Sequence, residues 1–238
     1  MKTSLLYCLL LLTTWCSSCR SLSYFDSPNN LRNIEGALFL QNGRTYEGKL
    51  VIETENLFGR PVKLFVDDDK KPMQFSLNDV KGYAARNAYY ELREIREGVS
   101  IGRQLYFMRR LTPENSRIHL FEFLKKRTVN KTSVRHDPEF YLQLPGEEGM
   151  LVYAANGSRF VPHFEEKISR LVSDCPTLSR KIAEKKEGYF YAQVSLLRDK
   201  RADVLLQIIR EYNQCGGNNS GLTEAKQQEE NNMQTSQQ

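Results

Sequence analysis

The sequence predicts an α+β protein, in which an antiparallel β roll or half-open barrel is followed by a C-terminal helical subdomain. Short extended runs separated by turn residues fill residues 34–160, with no helical pattern between them. Helical periodicity begins only after this region. The only two cysteines beyond the leader, Cys175 and Cys215, delimit most of the helical part. Strands followed by helices are typical of the α+β class.

Residues 1–19 predict a secretory signal peptide. Lys2 is followed by the apolar run Leu5–Leu12 and then by small residues, which is the usual order in such leaders. The run is too short to span a bilayer, which takes about 20 residues. The last three residues of the leader, Ser-Ser-Cys, resemble a bacterial lipobox, in which the cysteine becomes the lipidated first residue. We therefore expect lipidation at Cys19 and an exported, lipid-anchored protein of the outer membrane or periplasm.

Two other interpretations of the leader stay open. Ordinary signal peptidase cleavage between Cys19 and Ser23 would release a protein without a lipid. A eukaryotic secreted protein is the other interpretation, and its glycosylation sequons would then be used. These sequons begin at Asn130, Asn156 and Asn218.

Polar segments flank the predicted fold. Residues 20–33 are expected to form a flexible tether. Residues 216–238, rich in Gln, Asn, Glu and Ser, are expected to form a disordered tail. Between them lie a β-rich domain at 34–160 and a helical subdomain at 161–215, which together are long enough to bury a core.

The balance of charge is mildly basic. The chain has 34 Lys and Arg against 29 Asp and Glu, which gives a formal net charge of +5. Nucleic-acid binding would need these cations in a concentrated stripe, whereas they are scattered along the chain. We therefore expect no nucleic-acid partner. An anionic lipid or lipopolysaccharide surface is the functional interpretation that the basic residues leave open.

The strands are predicted from alternation and turn signals. The dipeptide Asn42-Gly43 between two extended runs is a strong hairpin signal, because both residue types tolerate positive φ. A single helical turn is expected at Ser76–Val80, and a charged turn at Asp67–Asp69. Strands are predicted at Gly36–Leu40, Thr45–Ile52, Val62–Val66, Pro72–Phe75, Gly82–Ala84, Tyr89–Ile95, Gln104–Leu111, Arg117–Phe123, Phe140–Leu144 and Met150–Ala154.

Helical spacing of apolar residues follows the strands. A first helix is predicted at His163–Ser173, and a second begins with Asp174 as its N-cap and Pro176 in its first turn. The last helix runs to Cys215, where two glycines end it. Residues 189–197 fit either a strand or the beginning of this last helix.

Cys175 and Cys215 are the candidate site residues. Cys175 begins one predicted helix and Cys215 ends another, and these ends are neighbours in an antiparallel helix pair. In an exported protein we expect a disulfide between them, worth about 4 kcal/mol on the loop-entropy model. The alternative is a reactive thiol, because a helix N-terminus lowers the pKa of Cys175 and Cys215 could act as its resolving partner.

Two pairs of motifs resemble a known family. The first pair is GALFLQNGRTYEGKLVIE followed by MQFSLNDVKGY, and the second is LVSDCPTLSRKI followed by IIREYNQC. Over about residues 34–215 the chain resembles an uncharacterised family of exported proteins common in the Bacteroidetes, with an N-terminal β domain and a C-terminal SDCP…YNxC helical region. The resemblance implies an envelope location and the pairing of Cys175 with Cys215. It implies no catalytic residue.

The remaining chemistry-bearing residues predict no metal site and no cofactor. His119, His136 and His163 lack the spacing of zinc ligands, and the Asp67–Asp69 run lacks the spaced oxygens of a calcium loop. We therefore expect a non-enzymatic envelope module that binds a protein or glycan through its β face. A thiol-based redox or stress protein using Cys175 is the alternative, and a hydrolase with dispersed residues is a third hypothesis.

Overall fold

The computed structural model describes residues 23–53, 61–66, 71–95, 104–130, 133–147, 149–190 and 200–215. Eleven strands precede three helices in this part of the chain. The strands are β1 (Tyr24–Ser27), β2 (Asn30–Leu40), β3 (Thr45–Glu53), β4 (Val62–Phe65), β5 (Met73–Phe75), β6 (Val80–Ala85), β7 (Ala88–Ile95), β8 (Gln104–Arg110), β9 (His119–Thr128), β10 (Val134–Gln143) and β11 (Leu151–Ala154). The helices are α1 (Phe164–Leu171), α2 (Pro176–Ala183) and α3 (200–215), and a 3-10 turn covers Leu77–Asp79.

The strands form one sheet that closes on itself at one end. Its order is β11-β10-β9-β8-β7-β6-β2-β3-β4-β5, with β1 paired to β2. Neighbours along this order are antiparallel. In addition, β11 pairs in parallel with β7, with Leu151 opposite Glu94 and Val152 opposite Ile95. Strands β7 to β11 therefore make a closed five-stranded barrel, and β1 to β6 extend from it. The predicted α+β class, with a barrel followed by helices, is confirmed.

Three groups of buried side chains hold these parts together. Leu38, Leu50 and Tyr83 belong to the core of the extended sheet, which reaches β7 and β8. The side chains that point into the barrel form the second core. The side chains on the outside of the barrel form the third core together with those of the helices. In β9, for example, Phe121 points into the barrel while the adjacent Leu120 packs with the helices. The helices therefore share a core with the outside of the barrel.

The predicted tether at 20–33 is wrong for its described part, because residues 24–27 form β1 and, after a two-residue turn, β2 begins at Asn30. Leu31 is completely buried. The Asn29 amide donates to the carbonyl of Phe107 at 3.0 Å and accepts from its backbone N–H at 2.7 Å. The hydroxyl of Tyr83 donates to the carbonyl of Pro28 at 2.8 Å. Polar residues typical of a linker thus serve to fix this segment onto the sheet.

Two other local predictions are corrected. Cys175, not Asp174, is the N-cap residue of α2, and Asp174 instead forms an ion pair with Arg117. The strand predicted at Phe140–Leu144 begins earlier, because β10 starts at Val134 and Pro138 within it pairs with Leu124 of β9. Proline is tolerated in a strand whose N–H has no ladder partner, and its presence concealed the first half of this strand.

Several predictions fall outside the described residues. They are the leader with Cys19, the tail at 216–238, the Asp67–Asp69 turn and residues 191–197. Within the described chain, none of the helices has the length and apolar character needed to cross a membrane.

Candidate functional site

A cluster of charged side chains lies at one end of the barrel. Strand β7 contributes part of this cluster, because successive side chains along the strand point to opposite faces of the sheet. Tyr90 and Leu92 point into the core of the extended sheet. The opposite side of the strand carries Glu91, Arg93 and Ile95, and Ile95 belongs to the barrel core. Glu91 and Arg93 therefore point to the barrel side of the sheet. The mouth cluster, as we call it, comprises Tyr89, Glu91, Arg93, Arg110 and His119.

The next two strands add the other members of the mouth cluster. Met108 and Phe121 belong to the barrel core, so Arg110 and His119, each two residues away along its strand, share their side of the sheet. Arg110 is the last residue of β8 and His119 the first residue of β9. Both side chains thus lie where the strands end, and the cluster marks a mouth of the barrel.

Glu91 is the buried centre of this cluster, with only 2% of its side chain exposed. One carboxylate oxygen accepts from Arg110 Nη1 at 2.5 Å, and the other accepts from Arg93 Nη2. Arg93 also donates from Nη1 to the carbonyl of Gly149 at 3.0 Å, and its guanidinium lies 4.5 Å from the ring centroid of Phe121. A buried carboxylate is tolerated when cations and hydrogen bonds compensate it, as here.

Tyr89 extends the mouth cluster towards the outer face of the extended sheet. Its ring meets that of Phe39 edge to face at 5.4 Å, and the guanidinium of Arg110 lies 4.8 Å from its centroid. Burial, followed by the negative charge of Glu91, raises the pKa of Tyr89 to about 12. The hydroxyl therefore stays protonated at neutral pH. The row Phe39–Tyr89–Arg110, which we call the aromatic row, presents two rings and a cation side by side.

His119 completes the mouth cluster as a neutral ring. Burial lowers its pKa, so that the imidazole is uncharged at pH 7. Its Nδ1 lies 3.5 Å from the hydroxyl oxygen of Thr112. At the rim, Lys81 pairs with the exposed Glu114 at 3.3 Å. Three cations and two carboxylates thus surround this mouth, which leaves an excess of positive charge.

The two predicted site cysteines meet in the structure. The sulfur atoms of Cys175 and Cys215 lie at the disulfide distance of 2.02 Å, with 6.0 Å between the Cα atoms. Cys175 is 4% exposed and is part of the helical core. The bond joins the beginning of α2 to the end of α3, as predicted from their positions at helix ends. Its burial favours a structural clamp over a reactive thiol.

Arg117 connects this clamp to the barrel. Its backbone N–H donates to Asn213 Oδ1 at 2.9 Å, and its guanidinium donates to the hydroxyl of Tyr212 at 2.7 Å and to Asp174. The same guanidinium lies 3.9 Å from the ring centroid of Tyr212. The chain leading into β9 is thereby fixed to both ends of the disulfide-linked helical region.

This contact predicts a pH-dependent contribution to stability. The hydrogen bond from Arg117 lowers the pKa of Asp174 in the folded protein. The contribution is therefore complete above the unfolded pKa, about 4, and is lost as the pH falls through the folded pKa. We expect Asp174→Asn to lower the thermal unfolding midpoint at pH 7, and we expect the variant and the wild type to converge as the pH falls below the folded pKa of Asp174. Asp203→Asn, at an exposed position of α3, is the matched control. Its unfolding midpoint should stay close to that of the wild type at every pH.

The three histidines stay apart in the fold. His119 lies at the barrel mouth, His136 lies in β10 near Asp26, and His163 precedes α1. Within the described part of the chain, no group of three or more His, Cys, Asp and Glu side chains is placed to hold a metal ion.

Sequence reasoning missed the mouth cluster. Charged residues that alternate with apolar ones in a strand normally face solvent, and Glu91 and Arg93 follow that pattern by alternating with Tyr90 and Leu92. Their burial depends on barrel closure, which local alternation does not reveal.

Comparison with protein-family models, curated proteins and solved structures finds no match. The functional argument therefore rests on the geometry of this chain.

Proposed function

We propose that the protein is a non-enzymatic module of the cell envelope, lipid-anchored through Cys19, that binds an envelope glycan at the barrel mouth. The aromatic row, Phe39–Tyr89–Arg110, is the observation that carries this proposal. The disulfide-linked helices act as the scaffold behind the barrel. A protein partner at the same surface is the alternative that the binding test below distinguishes.

The position of Tyr89 suits a flat ligand. A Cβ atom added at Gly82 would lie 3.3 Å from the Tyr89 hydroxyl and 2.4 Å from the carbonyl of Tyr90. Tyr89 therefore extends across β6 at a point where the neighbouring strand has no side chain. A sugar ring can place its C–H face on such an aromatic surface, while its hydroxyl groups bond to adjacent polar groups.

The charges at the mouth position the row. Arg110 contacts the ring of Tyr89 on one side and the carboxylate of Glu91 on the other. Arg93 neutralises the second oxygen of that carboxylate. Since a guanidinium has five N–H donors in a fixed plane, Arg110 retains donors for a ligand while Glu91 fixes its orientation. The excess of positive charge favours a glycan with acidic groups.

The envelope location is supported by the disulfide pair. Disulfides form and persist in oxidising compartments such as the periplasm and the extracellular space. The alternative function, a redox protein using Cys175, would need that sulfur to react with an external thiol. At 4% exposure Cys175 offers little surface for such an attack.

Replacing Tyr89 by alanine tests the glycan site. We expect Tyr89→Ala to weaken binding to isolated envelope polysaccharide about 30-fold, as for an aromatic residue central to an interface. The measurement is isothermal titration with purified peptidoglycan fragments and lipopolysaccharide core oligosaccharide. Tyr24→Ala removes an exposed tyrosine that is not part of the aromatic row and whose hydroxyl donates to Asn30, and it is the matched control. Equal glycan binding by wild type and Tyr89→Ala would contradict the site, and no glycan binding by the wild type would favour the alternative protein partner.

A further inference from the structure

Strands β9 and β10 continue beyond the barrel as a two-stranded ribbon. They pair with each other along their whole length, from the pair of His119 with Gln143 to the pair of Thr128 with Val134. The register of β9 with β8 ends at Glu122, and that of β10 with β11 begins at Tyr141. The intervening residues, 123–128 and 134–139, with Val129 at the tip, form what we call the hairpin arm. Phe123 still packs against Tyr106 of β8, with 4.9 Å between the ring centroids, and Lys126 contacts Asp26 of β1, so the arm projects from the fold only beyond Lys126.

The hairpin arm has its carboxylates inside and its cations outside. The side chain of Asp137 is only 4% exposed, and it pairs with Arg127 at 3.1 Å and with Arg135 at 2.7 Å. Arg135 itself is 64% exposed. Lys125 likewise lies outside its partner Glu139 at 3.2 Å. Since the negative groups are covered and the positive groups face solvent, the surface of the arm is cationic.

The tip of the hairpin arm is apolar. Val129 and Val134 are 62% and 49% exposed, and they are two of only four large apolar side chains that are exposed in the described chain. The backbone N–H of Val129 bonds to the carbonyl of Ser133 at 3.0 Å and Val134 pairs with Thr128, so both valines belong to the last two rungs of the ribbon. Apolar side chains ringed by Lys and Arg are the combination that peripheral membrane proteins place in the headgroup region.

The N-terminal end of the fold meets this same arm. Asp26 in β1 contacts Lys126 at 3.4 Å and His136 at 3.8 Å. Tyr24, the first residue of β1, is also exposed. In the sequence, Cys19 precedes Tyr24 by five residues, a length of chain that spans at most about 17 Å. A lipid on Cys19 would therefore hold the bilayer on the side of the molecule where the hairpin arm projects.

We propose that the hairpin arm is a membrane-contact surface, whose cations bind anionic phospholipid headgroups while Val129 and Val134 enter the interface. This inference rests on the proposed envelope location but not on the glycan site. Cations close to a bilayer are attracted to its anionic headgroups, and this attraction adds to whatever a lipid anchor contributes. The arm would also orient the barrel relative to the membrane.

Vesicle co-sedimentation tests the membrane contact without the anchor. The chain Arg20–Gln238 omits only the leader, because the described fold begins at Ser23. We expect it to sediment with vesicles containing phosphatidylglycerol, to bind pure phosphatidylcholine at least tenfold less, and to dissociate at high salt. Equal binding to both vesicle types, or none to either, would overturn the proposal.

Arm variants give the sharper result. Val129→Asp combined with Val134→Asp should lower vesicle binding at least tenfold, and Lys126→Gln about fivefold. Met73→Asp, at an exposed apolar position of β5 at the far end of the sheet, is the matched control and should bind as the wild type does. If the aspartates disturb the fold, Val129→Thr with Val134→Thr is the substitute variant, because it keeps the strand shape. This variant should weaken vesicle binding about threefold.

The outcomes separate this inference from the glycan proposal. Tyr89→Ala should leave vesicle binding unchanged, and the arm variants should leave glycan binding unchanged. A change of oligomeric state in the valine variants, with vesicle binding as in the wild type, would instead make the tip a contact between copies of the chain. Retained vesicle binding in all arm variants would likewise overturn the proposal.

Discussion

Glu91→Gln is expected to lower the free energy of unfolding by about 3–5 kcal/mol. The carboxylate of Glu91 is buried between Arg93 and Arg110, whose side chains are themselves largely covered. A neutral amide leaves two neighbouring guanidiniums without a counter-charge and offers an N–H where an acceptor is needed. Denaturant unfolding followed by circular dichroism measures the loss. Without the Glu91 carboxylate, Arg110 is no longer held beside Tyr89. The variant should therefore also bind the glycan more weakly.

Two comparisons make the Glu91 prediction specific. Glu114→Gln breaks an exposed ion pair near the same mouth and should leave the unfolding midpoint nearly unchanged. A triple variant, Glu91→Leu with Arg93→Met and Arg110→Leu, removes all three charges together and should recover most of the stability. If Glu91→Gln unfolds at the wild-type denaturant concentration, the mouth cluster does not stabilise the barrel.

Removing the disulfide is expected to cost about 4 kcal/mol of unfolding free energy. Cys175 and Cys215 are 40 residues apart, so their bond removes much of the loop entropy of the unfolded helical region. The double variant Cys175→Ala, Cys215→Ala should still fold, because Arg117 and the shared core also hold these helices. Its stability is measured by the same denaturant titration.

The control for the disulfide prediction is chemical. Full reduction of the unfolded wild type should give a refolded protein with nearly the stability of the double alanine variant. Mild reductant on the folded protein should leave the bond intact, since Cys175 is buried. Rapid reduction under mild conditions would contradict the structural interpretation and favour the thiol-based alternative.

Local signals in the sequence were sufficient for much of the sheet. Asn42-Gly43 marks the β2–β3 hairpin, where Gly43 adopts a φ of 81°. The expected helical turn is the 3-10 turn at Leu77–Asp79. Non-local features were missed, because β1 is attached through Asn29 to distant β8 and the barrel closes through Leu151 of β11 against β7. No short-range pattern encodes such pairings.

The candidate sites differ in the same way. Cys175 and Cys215 could be paired from sequence, because each lies at the end of a recognisable helix. The mouth cluster could not be predicted, since Glu91 and Arg110 become neighbours only when β7 and β8 enter the barrel. The hairpin arm was half concealed by Pro138, which normally argues against a strand.

Intact mass of the mature protein from its native membrane, before and after reduction, tests the central claim of a lipid-anchored, disulfide-linked envelope module. We predict a chain that begins at an acylated Cys19 and gains about two daltons on reduction, as one disulfide requires. An unlipidated chain with free thiols would contradict both the anchor and the clamp, and would favour the reactive-cysteine alternative.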